Sequence, residues 1–205
     1  MHTETEGLFI ILRKVKYGEA DLILHALSSQ GEKMSFLARG ALRSKKRFGG
    51  GVLEPLHHVK LVYSVSSKSD LHTLKEAQLL QGFEGLRTDY DKLTFALLAL
   101  ECVARVSMEG DSDSASLYNL LGHLLKSLEP SPHLTILKTQ FFLKFLLQQG
   151  VLEVEAWMAP FLRAALSENE GLTELESQAQ DRVGSLEKMV RHYIKTADTN
   201  LSSPP

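Results

Sequence analysis

The 205-residue chain holds one cysteine, Cys102, and one tryptophan, Trp157. A single thiol excludes an internal disulfide and any thiolate-rich zinc site of the four-ligand kind, and makes a reducing compartment the natural setting. Long apolar runs are missing as well: no stretch approaches the roughly 18 residues needed to span a bilayer. The opening Met1–Glu6 is polar and acidic where a secretory leader is basic and then apolar, so the chain reads as cytosolic. Net charge is also scarce, at −2, which argues against a polyanionic partner until the charge is resolved along the chain.

Residues 1–80 carry twelve Lys and Arg against eight Asp and Glu, or +4, while residues 81–205 carry eleven against seventeen, or −6. The hydrophobic pattern changes at the same point, from period two to helical spacing. The expected organisation is therefore a barrel-like domain over 1–80 and a helical domain over 81–205.

In the first part, 7–16, 21–28, 33–39, 58–66 and 70–77 read as short strands with glycine-containing or serine-rich turns between them, including Ser66–Ser69. In the fourth, Val59, Leu61, Tyr63 and Val65 share a face. Five short strands suit a small closed sheet, since closure removes exposed edges. Beyond residue 89, Asp91 is positioned to cap a first helix and Asp113 or Ser114 a second, ended by Pro130 and Pro132. A third, over 133–149, is apolar around most of its circumference and stops at Gly150, a candidate left-handed cap. The C-terminal segment 155–196 reads as a short helix over 155–167 and a long amphipathic one, with a frayed tail. The fold class expected is α+β, an OB-fold β-barrel followed by an all-α domain.

Between strands three and four, Arg39, Arg43, Lys45, Lys46 and Arg47 fall within nine residues with no acid among them. Such a run gains little from a core and is at ease against a polyanion, although a charge run taken alone is more often a solvated loop. Its position at the mouth of a small barrel, where oligonucleotides commonly bind, favours phosphate contact. Gly40 and Gly49–Gly51 permit close backbone approach, and Phe48 offers a face for stacking on an unpaired base. Lys33 and, more weakly, Lys60 join these candidates, with Arg13, Lys14 and Lys16 as a second small cluster.

Gly7-Leu-Phe-Ile-Ile-Leu-Arg13, Tyr17-Gly-Glu-Ala-Asp-Leu-Ile-Leu24, Gly31-Glu-Lys33, Ala38-Arg-Gly-Ala41, Arg47-Phe-Gly-Gly50 and Leu53-Glu-Pro55 follow one another in an order and spacing that resemble the opening domain of the RecO family of bacterial DNA repair proteins. The resemblance extends through Leu71-His-Thr-Leu74 and Glu76-Ala77, and weakly to 141–150. It implies a recombination mediator that binds single- and double-stranded DNA, anneals complementary strands, and with RecR helps RecA onto strands coated by single-strand-binding protein. It implies no catalysis and no cofactor, and a cytoplasmic protein associated with the nucleoid during repair. The family's helical domain docks the acidic, Phe-ending tail of single-strand-binding protein, for which Lys138 and Lys144 are the nearest basic residues; both also read as ordinary solvent-facing lysines. Many family members place four zinc-binding cysteines after the central helix, where this chain has Val151–Ala159, so no metal is expected. The competing reading is a protein-interaction adaptor whose barrel has no direct DNA-binding role.

The remaining polar groups favour structure. Adjacent His57 and His58 would point to opposite faces of a strand and cannot chelate one ion. Gly49–Gly51 lacks the Gly-Lys-Ser/Thr of a nucleotide loop, and no Ser-His-Asp order or paired-carboxylate motif is present. Asp111 and Asp113 read as a loop or helix-start feature, and Cys102 as an inert core residue.

Overall fold

The computed structural model describes residues 4–44, 46–66, 69–108 and 115–201. Lys45, part of the Ser66–Ser69 turn, Asp111, Asp113, Ser114 and the end of the tail lie outside the described residues.

Five strands, β1 (Glu4–Tyr17), β2 (Asp21–Ser28), β3 (Lys33–Ala38), β4 (His58–Ser64) and β5 (Leu71–Gln81), close into a barrel in the order β1-β2-β3-β5-β4. All neighbours are antiparallel except β3 and β5. β1 serves two partners, pairing β4 through Glu4–Ile10 and β2 through Phe9–Tyr17, with an irregularity between Ile11 and Arg13. A bulge bends a strand in this way, so one long strand turns the barrel's corner. The architecture is α+β, an OB-like barrel followed by helices, as the alternation and the later helical spacing predict.

Alternation places Leu22, Leu24 and Ala26 of β2, Met34, Phe36 and Ala38 of β3, and Val59, Leu61 and Tyr63 of β4 in one core. Phe9, Phe36 and Tyr63 meet edge to face, with ring centroids 5.1–5.9 Å apart. Each such side chain contributes on the order of 2 kcal/mol of burial. Val65 departs from its expected place: β4 stops at Ser64, and Val65 is 47% exposed.

The chain divides into two compact units, one of residues up to Phe83 with Ser107–Asn119, the other of Glu84–Val106 with the chain from Leu120 onward. Within the first, the Lys33 N–H donates to the Met108 carbonyl at 3.2 Å, and His58 Nε2 lies 2.7 Å from the Tyr118 hydroxyl. Burial raises the Tyr118 phenol above its ordinary value.

The helices are α1 (Tyr90–Val106), α2 (Ala115–Leu128), α3 (Leu134–Gln148), α4 (Ala159–Arg163) and α5 (Glu176–Leu201). Asp89, not Asp91, caps α1: its Oδ1 accepts the N–H groups of Asp91 and Lys92, both at 3.1 Å. Asp91 already stands in the first turn, where its charge suits the helix dipole. α3 is the most buried helix, with Phe141, Phe142 and Phe145 fully enclosed. It ends as its glycine predicts: Gly150 has φ +69°, its N–H donates to Leu147 O, and the Val151 N–H donates to Leu146 O.

The single helix expected over 155–167 is in fact broken. A 3-10 turn at Ala156–Met158 leads into the short α4, which begins around Pro160, and a further 3-10 stretch spans Leu166–Leu175. Gln140 Nε2, buried on α3, donates to the carbonyls of both Ala164 and Ala165 at 3.3 Å. The Ala165 N–H in turn goes to Glu168 Oε2 at 2.8 Å. Groups that a continuous helix would pair internally are taken by side chains. α5 then buries Ala179, Leu186, Val190 and Ile194 along one stripe. Among the described residues, no helix is long and apolar enough to cross a membrane.

Candidate nucleic-acid interface

The loop leaving β3 is pinned at both ends of its basic stretch. Gly40, at φ +66°, donates its N–H to Asp21 Oδ1 at 2.7 Å, and the Leu42 N–H donates to Ala20 O at 2.9 Å. Two short bonds, Arg43 N–H to Gly40 O and Ser44 N–H to Gly40 O, wind residues 40–44 into a turn. Farther on, Phe48, Val52 and Leu53 are 6%, 5% and 4% exposed and belong to the barrel core. Arg47 folds back, its Nη2 donating to Arg39 O at 3.0 Å while its guanidinium carbon lies 5.0 Å from the Phe48 ring centroid.

The cationic side chains therefore stand on an anchored frame. Arg39, Arg43, Lys46 and Arg47 are exposed. Arg43 reaches Glu19 at 3.5 Å, but both side chains are largely in water, so this pair adds little stability and a phosphate can replace the carboxylate. The bonds to Ala20 and Asp21 set the loop against the β1–β2 turn. The second basic cluster thus joins the first, since Arg13, Lys14 and Lys16 are on the last residues of β1, and Lys14 pairs with Glu54 of the same loop. Three acids, Glu19, Asp21 and Glu54, are interspersed and engaged with loop groups.

Two sequence candidates are not brought to this end. Lys33 opens β3 while Arg39 follows its close, about 20 Å of strand away. Lys60 is in register with Leu8, about 30 Å of β1 path from Tyr17, and its ammonium meets Glu6 at 2.8 Å.

Residues 1–83 match the family described as Recombination protein O N terminal. Over these residues the chain is similar to the N-terminal domain of RecO proteins. Similar proteins include "DNA repair protein RecO" from Desulfosudis oleivorans, 36% identical over 121 residues, covering 58% of this chain and 46% of the relative. The protein of the same name from Anaeromyxobacter dehalogenans is 35% identical over 123 residues, 60% of this chain and 48% of its own length. That from Alkaliphilus metalliredigens is 34% identical over 132 residues, 63% and 51%. The chain spans about half the length of the curated relatives it matches.

In this barrel Phe48 does not offer a stacking face. Burial of a ring outweighs any exposed role available to it, and the glycines after it let the chain turn back over the barrel, Gly50 and Gly51 having φ +71° and +69°. The exposed aromatic at this end is Tyr17, 56% accessible at the tip of β1. In sequence it falls in the turn after the first strand, and the signal for its exposure is its place directly after the Arg13–Lys16 cluster.

Lys144 is not solvent-facing. Its Nζ donates to Leu162 O in the last turn of α4 at 2.6 Å, and burial lowers its pKa, with Glu168 opposing the shift. Lys138 places its Nζ 5.7 Å from the Phe95 ring centroid. His57 is buried with Nδ1 3.1 Å from Val52 O, holding the loop's return to β4. Cys102 is fully enclosed in α1, and burial pushes its thiol up to about 12. Among the described residues, no three His, Cys, Asp or Glu side chains are grouped as metal ligands.

Proposed function

We propose that this chain is a DNA repair and recombination mediator. It binds single- and double-stranded DNA at the pinned basic loop, anneals complementary strands, and with RecR helps RecA onto strands covered by single-strand-binding protein, acting in the cytoplasm at the nucleoid. The observation that carries this reading is the joining of the Arg39–Arg47 loop to the β1 tip through the bonds at Gly40 and Leu42, which gathers cations from two sequence segments at one end of a closed barrel. The similarity of residues 1–83 to the N-terminal domain of RecO proteins supports the same role.

Annealing needs no bond made or broken by the protein. Two strands repel as polyanions, and guanidinium or ammonium groups on the backbones lower that repulsion while base edges stay free to pair. Arg39, Arg43, Lys45, Lys46 and Arg47 supply the phosphate contacts, Arg13 and Lys16 extend them, and Tyr17 stacks on an unpaired base. For the acidic tail of single-strand-binding protein, Lys138 is the remaining candidate, because Lys144 already holds Leu162.

The test is an annealing assay with complementary dye-labelled oligonucleotides, comparing the chain with its Arg43→Ala, Lys45→Ala, Lys46→Ala variant. The mediator accelerates annealing and the variant loses most of the acceleration. A protein adaptor would leave the spontaneous rate untouched in both.

A further inference from the structure

In the helical unit a groove of about 1040 Å³ runs between the 151–158 segment and α5. Its α5 wall uses Gln178, Asp181, Arg182, Ser185, Leu186 and Met189, which recur at three and four and so form one face about 16 Å long. The lining includes apolar surface from Leu152, Trp157, Met158 and Leu186, and two exposed apolar residues, Val151 at 45% and Met189 at 48%. Exposed Glu153, Glu155, Glu174 and Asp181 surround it. The one cation in the lining, Arg182, is stacked 4.4 Å from the Trp157 ring centroid.

We propose that this groove docks a basic amphipathic helix from a partner protein. A groove of this length, with apolar surface at Val151, Leu152, Trp157 and Met189 among polar side chains, takes the apolar stripe of about three helical turns, and carboxylates along its edges pair with lysine or arginine flanking that stripe. Four carboxylates against one guanidinium disfavour the other occupants. Nucleic acid and acidic peptide tails are repelled, and a twofold contact with a second copy would set this acidic rim against itself. The groove thus complements the basic loop: one unit carries a surface for anions, the other a surface for cations.

Trp157 is the only tryptophan, so its emission reports groove occupancy directly. The probe is a synthetic Lys/Leu helical peptide of about four turns, with leucines at i, i+3, i+4 and i+7. Comparison peptides keep the leucines with glutamates, or keep the lysines with serines. The Lys/Leu peptide shifts Trp157 emission saturably, and both comparison peptides bind at least about tenfold more weakly. A Glu153→Gln, Glu155→Gln, Asp181→Asn variant weakens the Lys/Leu peptide by about tenfold, and Met189→Asp weakens it as well, both keeping the wild-type circular dichroism spectrum. Equal binding of the glutamate peptide, an unaltered affinity in the neutralised variant, or no emission change with any peptide overturns the proposal. Concentration-dependent self-association abolished by Met189→Asp would give the groove to a second copy and overturn it too.

Discussion

Phe48 stands in sequence beside Arg47 and next to glycines, yet its side chain completes the barrel core, while Tyr17, which looks like part of a turn, is 56% exposed. The two rings make opposite predictions. Phe48→Ala empties a packed site and costs about 3–5 kcal/mol in stability, to be read as a shift in the urea midpoint. Tyr17→Ala leaves the stability within about 0.5 kcal/mol of wild type by the same measurement. It weakens single-strand binding by about 1–3 kcal/mol and duplex binding far less, because only unpaired bases offer a face; anisotropy titrations with both DNA forms check this, and Tyr17→Phe retains the wild-type affinity. Cys102 is the third residue with a clear outcome. Its raised thiol pKa contributes stability that is whole below the unfolded value of 9.0 and lost as pH climbs through about 12. At neutral pH it reacts with a thiol reagent only at the rate the protein opens, so labelling tracks unfolding by denaturant.

Among the elements, those whose signal is local were legible beforehand. β2 is found over the stretch read from alternation, and α3 lies within a residue of the expected ends, because a strand of period two or an all-round apolar helix carries its identity in its own residues. The Gly150 cap is of this kind: Gly150→Ala forces a side chain into a left-handed position and costs about 1 kcal/mol, measurable by thermal denaturation. The break between α4 and the following 3-10 stretch was not legible, since it depends on Gln140 reaching the carbonyls of Ala164 and Ala165, 24 and 25 residues away. The role of Lys144 was hidden for the same reason. Its pKa lies below the ordinary lysine value, so the unfolded chain binds more protons just below pH 10.5 and stability rises with pH there. Lys144→Met removes that rise: the stability difference between wild type and variant moves in the wild type's favour as pH increases toward 10.5, and a difference constant with pH would show the lysine to be unperturbed.

At the scale of the whole chain, a net charge of −2 conceals segments of opposite sign, and this was readable from residue counts alone. The site was half readable. The five loop cations are contiguous in sequence, but their union with Arg13 and Lys16 needs the Gly40–Asp21 and Leu42–Ala20 bonds, and the separation of Lys33 and Lys60 from them needs the strand register. The acidic groove was not readable, because its walls come from segments some thirty residues apart whose exposed apolar side chains gain meaning only when they face one another. The account's central claim is that the pinned loop meets DNA phosphates. Its most direct test is the salt dependence of binding to an unstructured oligonucleotide. Five single-strand phosphate contacts give a log–log slope of roughly −3.5, and the Arg43→Ala, Lys45→Ala, Lys46→Ala variant should be shallower by about two units. Equal slopes in the two proteins would contradict it.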